Sequence, residues 1–160
     1  MNVLVGCEES GTVRDAFIKR GHNAVSCDLL PSLRPGPHYQ GDILDLIYGH
    51  FGWDLFIVHP TCTFLSSSGL HWNKNPKSVR FGGAQTEDAL RFVRLLLDAP
   101  IPSIALENPI GCIGTRIRPS SQIIQPYEFG DDASKATCLW LKNLPLLVAD
   151  PEKRVSGRLA

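Results

Sequence analysis

Cys62 follows Pro60 and Thr61 at the end of the strongest strand-like run in the chain, Leu55-Phe56-Ile57-Val58-His59. A proline there ends a strand's ladder because it has no N–H to donate, so the thiol is presented on a turn above the sheet edge. A cysteine in that partly open position is a candidate nucleophile; a structural thiol is the alternative. Glu107-Asn108-Pro109 closes a second apolar run, Ser103 to Leu106. In a parallel sheet its carboxylate emerges at the same rim as Cys62. A cysteine nucleophile facing a carboxylic acid is a chemically meaningful pair, against a glutamate merely salt-bridged at the sheet end. A zinc reading would combine His59, Cys62 and His71 with a fourth ligand from elsewhere, but nothing else has metal spacing, and no metal is expected. A cysteine hydrolase lacks a convincing base, since His59 is expected to point elsewhere.

Two further places carry polar or small residues where an apolar run stops. Gly6-Cys7-Glu8-Glu9-Ser10-Gly11 sits between a strand-like and a helix-like segment. Small residues there let a ligand approach the backbone N–H groups of a helix N-terminus. The pattern is not GxGxxG, and two glutamates would repel a pyrophosphate, which disfavours a dinucleotide or triphosphate. A ligand carrying an ammonium and a sulfonium suits an acidic turn better, with Gly6, Glu8, Ser10 and Gly11 as candidate contacts. A plain strand–helix turn with solvated glutamates is the alternative. Asp28 lies about 20 residues further on, where an acidic side chain accepts from ribose hydroxyls in nucleoside-binding Rossmann folds. Asp42 could make a similar contact to an adenine amino group.

These residues need a scaffold, and the chain provides a readable one. Val3 to Gly6 is a short buried strand; Ser10 can cap a helix in which Val13, Ala16 and Phe17 share a face, and Gly21 ends it. Ala24 to Cys27 is a second strand stopping at Asp28. Leu30 to His38 is a loop with three prolines. Gly41 to Leu46 is a short strand or turn entering a brief helix. Thr61 to Gly83 is polar loop. Thr86 caps an amphipathic helix with Glu87 and Asp88 in its first turn and Ala89, Phe92, Val93 and Leu96 as its buried stripe. Past Pro109 only Thr137 to Leu141 reads as a strand. Alternating strands and helices predict an α/β fold, Rossmann-like and mostly parallel, with helices on both faces. Ligands in such sheets bind beyond the carboxyl ends of the strands.

Composition agrees with one ordinary globular domain: 160 residues, 43% hydrophobic and 20% charged. No apolar run approaches a membrane span, so no membrane partner is expected. Sixteen basic and sixteen acidic side chains cancel, which argues against a broadly basic nucleic-acid coat. Five cysteines, an odd number without a CxxC pair, and no signal-peptide pattern point to a reduced, cytoplasmic protein.

On these residues the chain resembles the C5-cytosine methyltransferases, most closely their short phage and prophage members. Pro60-Thr61-Cys62 is similar to the family's Pro-Pro-Cys motif, and Glu107-Asn108-Pro109 to its Glu-Asn-Val motif. Gly6 to Gly11 loosely echoes its first motif, Asp28 its acidic residue after the second strand, and Gly41-Asp42-Ile43 its third. Motif order agrees over residues 1 to about 110.

The resemblance implies an S-adenosylmethionine-dependent methyltransferase fold, phage or prophage encoded, acting at C5 of cytosine in DNA or in a free pyrimidine nucleotide. It implies Cys62 as nucleophile, Glu107 as the acid at N3, and Asn108 as a brace for the Cys-bearing loop. The cofactor would meet Gly6, Glu8, Ser10, Gly11, Asp28, Asp42 and Pro60. Ser66, Lys74 and Arg80 in the loop, with Arg116 and Arg118 of a later Arg-x-Arg element, would meet the substrate. The expected organisation is a single catalytic core over residues 1–160 without a target-recognition domain. A fold relative that binds nucleic acid or S-adenosylmethionine without turnover, in an anti-restriction or regulatory role, is the competing expectation.

Overall fold

Four short segments with apolar centres, each followed by a polar turn, become four mutually parallel strands at the centre of the sheet. They are β1 (Asn2–Gly6), β2 (Asn23–Asp28), β4 (Leu55–Val58) and β5 (Ser103–Pro109). The computed structural model describes residues 1–49 and 51–158. β3 (His38–Gln40), β6 (Gln122–Ile124) and β7 (Thr137–Lys142) complete a seven-stranded sheet ordered β3-β2-β1-β4-β5-β7-β6. β7 is the reversed strand, antiparallel to both β5 and β6.

Helices cover both faces. α1 (Thr12–Lys19) lays Val13 and Phe17 against Val3, Val5 and Ala24 on one face. α2 (Ile43–Tyr48) and α4 (Ala84–Leu97) fill the other, where Ile43, Leu46, Leu90, Val93 and Leu96 pack on Leu4, Phe56, Val58, Ile104 and Leu106. The larger core therefore lies under β4 and β5, the two strands that deliver Cys62 and Glu107.

Several local expectations change. Gly11, in the left-handed region at φ 70°, occupies the start of α1 in place of Ser10, whose hydroxyl accepts from Thr12 N–H at 3.1 Å. Thr86 does not cap α4, because Gly83 begins that helix. Buried Thr86 instead donates to the Phe64 carbonyl and accepts from Asn73 Nδ2, both at 2.9 Å. The Thr61–Gly83 stretch is not all irregular: it holds α3 (Ser67–Leu70) and a 3-10 turn, His71–Lys74. β6 has only three residues and pairs with β7 alone, so its three-residue signal is too short to read locally. α5 (Ile113–Arg116) is a single turn after β5. No helix among the described residues is long and apolar enough to cross a membrane.

Candidate active site

The register of β4 against β5 decides where Cys62 and Glu107 lie. Val58 pairs with Leu106, so the next rung sets His59 opposite Glu107 and the following one Pro60 opposite Asn108. Side chains alternate across a strand, so His59 and Glu107 leave the same face of the sheet. They meet there, with His59 Nδ1 3.2 Å from Glu107 Oε2. The sequence alone does not single out this pairing; the register makes it. Asn108 is buried, and its Nδ2 donates to the Pro60 carbonyl at 2.7 Å. The turn that carries Cys62 is thereby pinned to the end of β5.

Beyond Pro60 the chain folds back on itself. The Cys62 carbonyl accepts from Leu65 and Ser66 N–H at 3.0 and 2.9 Å. Ser66 then forms a bridge with Gly111, and Cys112 N–H donates to the Leu65 carbonyl at 2.9 Å. A Cβ on Gly111 would collide with that carbonyl, so glycine is needed for the two segments to touch. Buried Ser66 thus belongs to the framework of the loop. Arg80 does too: it donates to the Thr63 carbonyl at 3.3 Å, and its guanidinium lies 5.0 Å from the Phe64 ring centre. Lys74 is exposed on the 3-10 turn, with Trp72 and Phe81 exposed nearby in the loop.

A cavity of about 320 Å³ opens beside this turn. Its walls come from the ends of β1, β2 and β4, the start of α2 and the middle of α4: Cys7, Asp28, Asp42, Ile43, Thr61 and Phe92. Thr61 places the cavity one residue from Cys62. The size suits a nucleoside-class ligand. Two carboxylates and no basic side chain line it, so a neutral or cationic ligand is favoured over a phosphate. Asp28 also accepts from Leu30 N–H at 3.0 Å, and Asp42 caps α2 by accepting from Leu44 N–H at 2.9 Å.

The glycine turn serves this cavity differently from expectation. Cys7, at φ 56°, turns the chain sharply after β1. Glu8 is then buried, and its Oε1 accepts from Val13 N–H at 2.7 Å and from the Ser10 hydroxyl at 3.0 Å. Its Oε2 accepts from Arg14 N–H at 3.4 Å. An internal carboxylate therefore occupies the α1 N-terminus where a phosphate would otherwise sit. Glu8, Ser10 and Gly11 do not line the cavity; Cys7, which the sequence does not single out as a cofactor contact, does. Pro60 is likewise replaced in the wall by Thr61.

Arg116 and Arg118 do not line this cavity. Arg116 donates to Glu87 Oε1 at 2.9 Å, and its carbonyl accepts from Arg94 at 3.2 Å. Together with Leu97 and Asp98 these arginines border a separate hollow beside the last turn of α4, while the Arg116 guanidinium reaches Glu87 in the first turn of that helix. The single turn of α5 after β5 lays Arg116 along the side of α4. Among the described residues, no three His, Cys, Asp or Glu side chains converge as a metal site, and His71 stacks on Trp72 at 4.6 Å.

Burial, then the nearby Asp28, pushes the Cys7 thiol up to about 12, and the same causes raise Cys27 to about 12. Both thiols stay protonated in the native protein while an unfolded chain loses its thiol protons near the ordinary value. The unfolded state then binds fewer protons, so stability falls as pH rises from about 9 toward 12, by at most about 1.4 kcal/mol per pH unit for each thiol. Cys27 is fully buried. Urea unfolding between pH 9 and 11 should therefore show a shallower loss in Cys27→Ala than in the parent protein; equal slopes would contradict the burial cause.

A parallel sheet with one reversed strand, and a ligand-sized hollow at its carboxyl rim, define a Rossmann-like methyltransferase fold. Neither a family model nor a curated protein matches the sequence. Among solved structures the chain is similar to a protein assigned as a DNA modification methyltransferase encoded within a prophage of E. coli. The TM-score is 0.50 at 12% identity, over 88% of this chain and 46% of that one. The chain thus spans about half the length of that protein, and at this identity the likeness concerns the fold.

Proposed function

We propose that the protein transfers a methyl group from S-adenosylmethionine to C5 of cytosine in DNA, through a transient covalent bond to Cys62. The observation that carries the reading is the joint anchoring of the Cys62 turn and Glu107 at one rim, beside a phosphate-excluding cavity. DNA is preferred over a free nucleotide because a DNA modification assignment accompanies the similar fold. Lys74 with Trp72 and Phe81 gives the neighbouring loop a cation and two exposed rings, a combination suited to phosphate contact and base stacking.

The cavity fits the cofactor chemically. Asp28 can accept from ribose hydroxyls, Phe92 and Ile43 offer apolar walls to an adenine, and the acidic lining favours a cationic sulfonium. When bound there, S-adenosylmethionine supplies an electrophilic methyl group. The chain's own residues make the base reactive. Cys62, as thiolate, forms a bond to C6 while Glu107 gives a proton to N3, so the electron pair of the C5–C6 double bond becomes nucleophilic at C5. After methylation, C5 loses its proton to solvent, the C6–S bond breaks, and N3 returns its proton to Glu107. The thiolate is regenerated. In a duplex the cytosine must leave the stack to reach this rim.

The test is transfer of labelled methyl groups to duplex DNA, single-stranded DNA and dCMP, with the product base identified by mass. Label in 5-methylcytosine from DNA is the expected result. Label on dCMP alone would move the substrate to the nucleotide pool, and cofactor binding without transfer to any of the three would remove the enzymatic reading.

A further inference from the structure

We propose that His59 is a positioning residue for Glu107: its imidazole holds one carboxyl oxygen so that the other faces the base. The proposal rests on the cytosine reading above. The contact is Nδ1 to Oε2, at 3.2 Å, between side chains that are each about one-third exposed. His59 is itself fixed from behind, since its N–H donates to the Gly6 carbonyl at 3.1 Å. Three strands, β1, β4 and β5, therefore meet at this one residue.

The other ring nitrogen identifies the tautomer. Nε2 is buried and has no hydrogen-bond partner among the described residues. A buried N–H without an acceptor is more costly than a bare lone pair, and Nδ1 faces a carboxyl oxygen. The proton therefore sits on Nδ1, which donates to Oε2. With Oε2 occupied, Oε1 is the oxygen left to exchange a proton with N3. A carboxyl free to rotate would offer either oxygen in a range of directions. One held by an imidazole offers a single oxygen in a single direction, which is the kind of preorganisation that proton transfer in a transition state requires.

Amide substitutions separate this role from simple packing. In His59→Asn the shorter amide can place an N–H where Nδ1 lies, whereas in His59→Gln the longer amide reaches the Nε2 position. His59→Asn is expected to keep kcat within about threefold of the parent, while His59→Gln and His59→Ala fall by about 10²-fold. KM for S-adenosylmethionine should stay unchanged in all three, because His59 does not line the cavity. Equal losses in the His59→Asn and His59→Gln variants, or a loss confined to KM, would overturn the proposal. A second measurement is independent of turnover. The imidazole 15N shifts should report an Nδ1-protonated ring that changes tautomer in Glu107→Ala; an Nε2-protonated ring, or one indifferent to Glu107, would overturn the contact. Should the parent protein bind S-adenosylmethionine yet leave cytosine unmethylated, the cytosine reading falls, and the 15N result alone decides whether His59 holds Glu107.

Discussion

Cys62→Ser is expected to abolish methyl transfer to cytosine, with a loss of at least ~10³-fold, because an alcohol at this position gives no useful nucleophile near neutral pH. Glu107→Gln should lose about 10²–10⁴-fold for a different reason: an amide keeps the contacts of the carboxyl but cannot exchange a proton with N3. DNA carrying 5-fluorocytosine distinguishes the two. Fluorine at C5 blocks the final loss of a proton, so a covalent complex should accumulate with the parent protein and survive denaturation. Cys62→Ser should form none, and Glu107→Gln should form it slowly. Neither side chain lines the cavity, so both variants should bind S-adenosylmethionine as the parent does. A Cys62→Ser protein that still methylates DNA would mean that the acceptor is an exocyclic amino group, whose own lone pair needs no thiol adduct. That result would keep the fold assignment and discard the C5 chemistry.

Whatever local pattern determines is legible in the sequence. Four runs with apolar centres become the four central strands, and a proline or an acid at three of the four stops marks the carboxyl rim, so Asp28, Cys62 and Glu107 fall at one edge without coordinates. What escapes depends on pairing between distant segments. His59 and Glu107 are 48 residues apart, and only the Val58–Leu106 register makes them neighbours. Aligning the two strands by their polar stops is the signal that suggests it. Glu8 is misleading for a related reason. An exposed acidic turn and a buried helix-capping carboxylate have the same sequence, and the left-handed Cys7 that turns Glu8 inward has no local signature. The Arg-x-Arg pair matches by residue type, and the short path after β5 lays it alongside α4, where Arg116 pairs with Glu87 outside the cavity wall.

Arg14 carries no sequence signal that sets it apart within an amphipathic helix, yet its replacement should have the largest effect on stability. Its side chain is fully buried. Nε donates to Asp15 at 2.8 Å, Nη1 to the Ser26 and Ser32 hydroxyls at 3.1 and 3.2 Å, and Nη2 to the Arg34 and Pro35 carbonyls at 3.4 and 3.0 Å. Gly11 and Gly36, both at positive φ, approach the guanidinium so closely that a Cβ on either would collide with it. One cation therefore fastens α1, β2 and the proline-containing 29–37 segment, where no helix connects β2 to β3. Arg14→Ala leaves a cavity and several acceptors without donors, and should cost about 3–5 kcal/mol. At this chain length that lowers Tm by roughly 6–20 °C. Asp15 is 39% exposed, so its charge contributes the smaller share and the buried acceptors the larger. Two further variants separate the causes. Arg14→Met restores most of the volume without donors, and Arg14→Lys keeps a charge but not the planar fork. Both should fall between alanine and the parent, with lysine unable to reach both sides of the loop at once. Calorimetry on the three gives the order. A methionine variant as stable as the parent would show that the hydrogen bonds only offset the cost of burying the charge. S-adenosylmethionine affinity then becomes the informative measurement. Asp28 and Leu29 border the cavity at the start of the segment that Arg14 holds, so a loosened segment should weaken cofactor binding even where the fold is preserved.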